Sequence, residues 1–390
     1  MKILYCILDN RLGGPHRRAY AVSLRLRRQG VETVFLLGRK SDDVWRPDGF
    51  RVFLRKRIQC LTRRHPLWNF AGFCIALPGN LLAIRRLIES NGVDIVHVDG
   101  ITNFVPALAA RLAGRPVVWH YNDHPPRALA HVFLRIVNRL AYAVIVQGRK
   151  LRDVRTGAIP GLHAKTVVIP SGIDPLEFHP DEPDASERAR LRTDFGADAG
   201  EPLIGMIGNM NRFKGHAYFI QAARRIKDRI DNARFVIVGK KLDTDPGYWE
   251  QMQRLTAECG LEKDVVYAGF RDDVRSVLSA LDLFVLSSVL ESCPVVLLEA
   301  MAMQVPVVAT DVGAVSEMVD HGRTGFIVPP ADPEAIADAV LGALTMTSEQ
   351  TQAMVEQARK TVERTFSVDT IARQQLQVYE RRHGPGVSRL

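Results

Sequence analysis

An α/β fold of two successive domains, each a doubly wound parallel sheet, is predicted by three observations. Strand-like and helix-like runs alternate through both halves. A proline- and acid-rich segment interrupts the alternation near residue 170. The 390 residues exceed what one ordinary core encloses. Strand runs in the first half are Ile3–Leu8, Thr33–Leu37, Ile95–Val98, Val117–His120 and Ala143–Val146. Helical patterns lie between them near Arg18–Arg28, Gly79–Glu89, Phe104–Leu112 and Ala128–Ala141. The opening Met1–Leu8 has no small-residue cleavage site and reads as a first strand, not a signal peptide. After Val167–Asp174 come Pro175, Pro180 and Pro183, the marks of a linker. Alternation restarts with strand runs Leu203–Ile207, Arg234–Val238, Val265–Tyr267, Leu283–Leu286, Pro306–Ala309 and Gly325–Val328. The domains are therefore read as 1–172, 173–365 and a C-terminal 366–390, a helix that crosses back to the first domain followed by a mobile tail. Two such sheets imply a central cleft lined by strand carboxyl ends.

Composition narrows the function. Hydrophobic residues are 46% and charged residues 24%, which excludes collagen-like, disordered and multi-spanning membrane classes. Five scattered cysteines without a C-x-x-C fit neither a disulfide framework nor a zinc site, and point to a reducing, cytoplasmic compartment. Charge is divided unevenly. Residues 1–170 hold 28 Lys and Arg against 10 Asp and Glu, and the remainder holds 24 against 33. A first half at +18 suits an anionic partner: a membrane surface, a phosphate-bearing acceptor or nucleic acid. No helix-turn-helix or RNA-binding aromatic motif supports nucleic acid. The basic stretch Arg51–Arg64 precedes apolar Leu67–Leu77, ended by Pro78-Gly79. Eleven residues are too few to span a bilayer but can lie in its interface, peripheral on the inner face of the plasma membrane; the other reading is a buried helix beside a solvated loop.

The clearest phosphate signal is Leu203–Gly215, an apolar strand, a Gly-containing loop with Arg212 and Lys214, then a helix. Helix-start N–H groups and cations together make an anion site. Beside it stands Glu291-Ser292-Cys293-Pro294, followed by the apolar run Val295–Met301 that carries Glu299. A carboxylate inside such a helix needs a partner, and sugar hydroxyls supply one. The plainer reading is a capping Glu291 and a structural Glu299.

Glu291 and Glu299, with seven residues between, match the E-x7-E motif of retaining glycosyltransferases of the GT-B fold, in particular glycosyltransferase family 4. Val168–Asp174 resembles that family's V-I-P-N-G-V-D segment, with Ser171 for Asn. Gly208–Gly215 is similar to its G-R-L-x-x-x-K-G loop, and Pro306–Glu317 and Gly322–Phe326 resemble the segments after its E-x7-E helix. The resemblance implies two Rossmann-like domains facing a cleft. It implies a retaining, metal-independent hexosyltransferase using a UDP- or GDP-linked sugar as co-substrate, without a cofactor. The acceptor is a sugar or a lipid-linked group, as in cell-surface polysaccharide, lipopolysaccharide or glycolipid synthesis. It further implies that Glu299 bonds the ribose, Glu291 faces the donor sugar, Lys214 binds phosphate, and backbone at Cys293, Pro294, Val295 and Val296 meets sugar and phosphates. Gly269, Phe270 and Arg271 line the base, and Gly13 and Gly14 approach the phosphates. Two departures stand out. Asn209 replaces the family's Arg, with Arg212 as the candidate substitute, and Pro294 has no N–H to donate.

His120 ends its strand run, where an α/β sheet presents groups to ligand, and the family carries a functional His in this region. It is assigned to catalysis with Glu291 and Lys214. His16 and Asp123 are assigned to the acceptor, and His97 is a weaker candidate. Asp243-Thr244-Asp245 mimics a metal-binding D-x-D but reads as a solvated turn. The alternatives are a nucleotide-sugar epimerase of similar shape and a catalytically silent nucleotide-sugar-binding protein.

Overall fold

The computed structural model describes residues 1–8, 13–38, 45–56, 66–122, 129–181, 184–242 and 245–381, with 66–70 and 246 by backbone alone. The chain forms two compact units: Met1–Ser171 with the segment from Val368 on, and Gly172–Ser367.

Among its described residues the first unit holds seven parallel strands in the order β3-β2-β1-β4-β5-β6-β7. They are β1 (Lys2–Ile7), β2 (Glu32–Gly38), β3 (Arg51–Arg55), β4 (Ile95–Asp99), β5 (Val117–His120), β6 (Ala143–Val146) and β7 (Thr166–Val168). Both faces are covered. Leu4 and Cys6 of β1 enter one core and Ile3 another, as the two-residue period of a strand requires. The order reverses between β1 and β4, so the carboxyl ends of β4 and β5 flank a topological switch point. Asp99 and His120 stand there.

Among its described residues the second unit holds six parallel strands in the order β10-β9-β8-β11-β12-β13. They are β8 (Leu203–Ile207), β9 (Arg234–Val238), β10 (Val265–Gly269), β11 (Leu283–Leu286), β12 (Val307–Thr310) and β13 (Phe326–Val328). Its switch point lies between β8 and β11, which brings the loops after Ile207 and Leu286 side by side.

Helix Ser348–Thr365 starts with a capping box between Thr347 and Gln350 and stops before Phe366-Ser367. Helix Val368–Glu380 then packs Val368, Ile371, Ala372, Val378 and Tyr379 against Ile3, Ile95 and Val118. That apolar face is why the last helix belongs with the first unit.

Three expectations need correction. Arg51–Arg55, expected in a solvated basic stretch, is a strand paired with β2 from Val34 to Gly38. The apolar alternation of Val52 and Leu54, both packed beside Phe35 and Leu37, outweighs the arginines; Arg57 and Arg63-Arg64 lie outside the described residues. Val167 and Val168, read as the start of the linker, pair with Ile145 and Val146 of β6. The helix read as ending at Pro78-Gly79 runs unbroken from Pro66 to Ser90. Pro78 and Gly79 lie on its exposed side. By length and composition Ala71–Ser90 now reaches what a membrane crossing needs, a test that core helices of soluble proteins also pass.

Candidate active site

In the second unit the β8–β11 pairing sets two loops in contact. Asn211 accepts at Oδ1 from Phe213 N (3.0 Å) and opens a single 3₁₀ turn, Arg212–Lys214. Gly215 follows at φ 70°; a Cβ there would stand 1.9 Å from the Ser287 carbonyl oxygen, so only glycine fits. Val289 N donates to Phe213 O (2.8 Å), and Ser287 Oγ to Lys214 O (3.2 Å). The stem of Lys214 lies against Gly208, where a Cβ would meet its Cδ at 3.2 Å. Its Nζ donates to Glu291 Oε1 at 2.6 Å, and Ser288 Oγ donates to the same oxygen at 2.9 Å. The structure thus brings together two of the three residues assigned to catalysis. The pair keeps side-chain exposures of 25% and 14%, so it is reachable from solvent.

Glu291 precedes helix Val295–Ala302, capped by Pro294 without a side-chain bond. Val295 and Val296 contribute N–H groups to its first turn, which an α-helix cannot pair internally. Cys293 is buried with Sγ 3.8 Å from Met318 Sδ. Gly313 (φ 59°) lets the chain pass close under the Glu291 and Ser292 carbonyls. Glu299 sits in the middle of the helix and is half-buried.

Other assigned residues turn elsewhere. Arg212, the candidate substitute at the phosphates, pairs with Asp245 (Nε–Oδ2 3.2 Å) and lies 5.3 Å over the Tyr248 ring. Asn209 accepts at Oδ1 from Lys240 N (3.2 Å). Arg271 donates through Nε to Asp273 Oδ1 (2.9 Å) and through Nη2 to Oδ2, which holds the Asp273 carboxyl below its ordinary range. Gly269 ends β10 at φ 69°, and Phe270 stands 63% exposed. Of the D-x-D stretch only Asp245 is described. Among the described residues no group of three or more His, Cys, Asp or Glu is placed to hold a metal ion.

In the first unit Gly13 caps helix Gly14–Arg28, its carbonyl accepting from His16 N (3.0 Å) and Arg17 N (3.2 Å). His16 is buried, edge-on to Trp45 at 5.2 Å. Asp123 lies outside the described residues. His120 is buried at the end of β5, and its Nε2 meets Arg18 Nη1 at 2.9 Å. Arg18 Nη2 donates to Asp99 Oδ2 at 2.5 Å, an ion pair with both side chains 4% exposed. Tyr5 Oη donates to that oxygen (3.3 Å), and Asn122 Nδ2 to Oδ1 (2.7 Å). Behind them His97 stacks on Tyr5 (4.2 Å) and meets Tyr379 Oη through Nδ1 (2.6 Å), while Gln375 Nε2 donates to Tyr379 Oη (2.6 Å). Burial, then Arg18, push both histidines well below their ordinary pKa, so they are neutral. Sequence reasoning missed Arg18, Asp99 and Tyr379. Only Asp99 left a signal, a carboxylate at a strand end before Gly100.

Comparison with known proteins agrees with this geometry. The family described as Glycosyltransferase Family 4 matches residues 12–176, and that described as Glycosyl transferases group 1 matches 201–346. An uncharacterized glycosyltransferase of Methanocaldococcus jannaschii is 28% identical over 302 residues, 74% of this chain and 75% of that one. The alpha-D-kanosaminyltransferase of Streptomyces kanamyceticus is 29% identical over 276 residues, 66% of this chain and 69% of that one. The structure of Anabaena HepE in complex with UDP and glucose superposes with a TM-score of 0.81 at 22% identity, covering 98% of this chain and 100% of that one. With one family match on each unit, glycosyltransferase relatives across both, and two doubly wound sheets, the chain belongs to the GT-B glycosyltransferases of family 4, group 1.

Proposed function

We propose that the protein transfers a hexose from a UDP- or GDP-linked donor to an acceptor hydroxyl, with retention and without a metal. The observation that carries this is the Lys214–Glu291 pair at 2.6 Å, ahead of helix Val295–Ala302. A departing diphosphate needs positive charge, and Lys214 with the first-turn N–H groups supplies it. Positive charge develops on the sugar as the bond to phosphate breaks, and the Glu291 carboxylate is the group to stabilise it. The diphosphate draws Lys214 from Glu291 as it binds, which leaves the carboxylate to the sugar. Glu299, in the middle of that helix, accepts from the ribose hydroxyls, and Phe270 lies under the base. The acceptor is held by the first unit, with His120 as a polar contact to substrate. The acceptor hydroxyl attacks from the face the diphosphate leaves and passes its proton to the departing phosphate oxygen, as retention in one step requires. HepE was solved with UDP and glucose, which supports a nucleotide-sugar donor here.

Thermal shift against a panel of UDP- and GDP-sugars, followed by mass detection of transfer, tests the reading. No stabilisation by any of them would sink it. Sugar interconversion without an acceptor would favour an epimerase.

We also propose that the first unit works on an anionic membrane at the cytoplasmic face, on a lipid-linked acceptor. On helix Pro66–Ser90, Ile75 (79% exposed) and Leu82 lie seven residues apart on one face, and Arg85 and Arg86 are exposed one turn on. An apolar strip beside cations suits a lipid interface. Flotation with anionic and neutral vesicles decides it: equal, negligible binding to both removes the idea.

A further inference from the structure

We infer that Arg18 is a positioning residue that fixes His120 in one form, with Nε2 as acceptor and Nδ1–H left as the donor to substrate. The inference rests on the reading above that His120 contacts substrate. A guanidinium donates and never accepts, and it keeps its proton at any working pH. At 2.9 Å from Arg18 Nη1, His120 Nε2 must therefore present its lone pair. An imidazolium would set two donors against each other. The one remaining proton sits on Nδ1, which is buried and has no partner among the described residues.

The surroundings enforce the same state. From helix Gly14–Arg28 comes Arg18. From β4 come Asp99, which holds Arg18 at 2.5 Å, and neutral His97, whose ring centre is 5.7 Å from that of His120. From β1 comes Tyr5, and from helix Val368–Glu380 comes Tyr379. Burial pushes both phenols up, so both stay protonated. Arg155 of helix Arg149–Thr156 adds a further positive charge against protonation of His120. Asp99 is fully engaged, by Arg18 and Tyr5 at Oδ2 and Asn122 at Oδ1, so it fixes the guanidinium rather than drawing a proton to the imidazole. With its lone pair occupied, His120 is no general base. With no second proton, it is no acid. It can donate one fixed hydrogen bond, to a sugar oxygen or an acceptor oxygen.

The test is histidine-selective ¹⁵N spectroscopy of the full chain, which distinguishes the two neutral tautomers and the cation. The parent is expected to show His120 protonated at Nδ1 only, unchanged from pH 6 to 8. An Nε2–H tautomer or an imidazolium there would overturn the inference, and this arm needs no variant. Arg18→Gln keeps an N–H donor for Nε2 and should keep the tautomer. Arg18→Met with Asp99→Asn removes donor and charge together. It should mix the tautomers and lower kcat roughly tenfold, the loss of one oriented hydrogen bond, with donor KM unchanged. Parental tautomer and kcat in that double variant would overturn the inference. His120→Ala separates the two layers. A parent transfer rate there refutes substrate contact by His120, and with it the functional part of the inference, whatever the spectrum shows.

Discussion

The two units carry their chemistry differently. In the second, Lys214 and Glu291 are 77 residues apart, yet each sits in a short local motif, and they meet where solvent still reaches. Glycines at 215 and 313 let backbone pass at distances no Cβ would tolerate. In the first, Arg18, Asp99 and His120 come from three elements and meet in the interior, with Tyr379 added from 282 residues beyond His97. An ion pair that solvent still reaches can exchange partners with a ligand. A buried one is costly to disturb and instead holds its neighbours in one protonation state. On the proposed reading, the second unit receives charge and the first presents a fixed hydrogen bond.

The comparison predicts unequal costs when each pair is broken. Arg18→Met alone leaves Asp99 buried without its cation and should destabilise by about 3–5 kcal/mol. Lys214→Ala leaves Glu291 near water and should cost about 1 kcal/mol or less. Urea denaturation of both variants measures this, and equal losses would break the contrast.

The next effect is pH-dependent. His216 begins the helix after Gly215, is buried, and donates through Nε2 to Gly208 O (3.3 Å). Burial pushes its pKa down from 6.5 to about 4. Between those values the unfolded chain binds the proton and the folded one does not. Stability is therefore full above pH 6.5 and falls as pH drops toward 4, by about 3 kcal/mol. His97 and His120 shift in the same direction and act with the same sign in the first unit. Hydrogen exchange of the β8 amides at pH 7 and pH 5, in parent and His216→Asn, should show the acid loss only in the parent. Loss on raising the pH would contradict the assignment.

A smaller effect sharpens the picture of the second unit. On the proposed assignment, in which its carboxylate meets charge that develops during reaction, Glu291→Gln should lower kcat. Glu299→Gln should chiefly raise donor KM, because ribose contacts do not change in the reaction. Steady-state kinetics with one donor separates them, and a Glu291→Gln enzyme at the parent rate would return that residue to a loop cap.

These differences track what the sequence reveals. Most strands were legible because a two-sided parallel sheet writes continuous apolar runs such as Phe235–Val238. The Lys214 loop and the Glu291 helix were legible because each is a short motif in itself: a cation a few residues after an apolar strand, and two carboxylates on either side of one apolar run. Arg51–Arg55 was hidden by its arginines, which stand at the two ends of an edge strand. The helix through Pro78 was hidden because an interior proline ordinarily ends a helix, and only the structure shows that this one continues to Ser90. Arg18 looked like any helical cation. Its role depends on β4 and β5 lying beside β1, a fact of topology that no local pattern carries.

The central claim, that Lys214 serves the diphosphate of a nucleotide donor, is tested most directly by binding. Calorimetry should compare UDP and GDP with uridine and guanosine, on parent and Lys214→Ala. A charge-assisted bond to phosphate is worth about 1.5–3 kcal/mol. The variant should therefore bind the diphosphate preferred by the parent roughly tenfold to a hundredfold more weakly, with nucleoside binding unchanged. Equal affinity of parent and variant for that nucleotide would contradict the account.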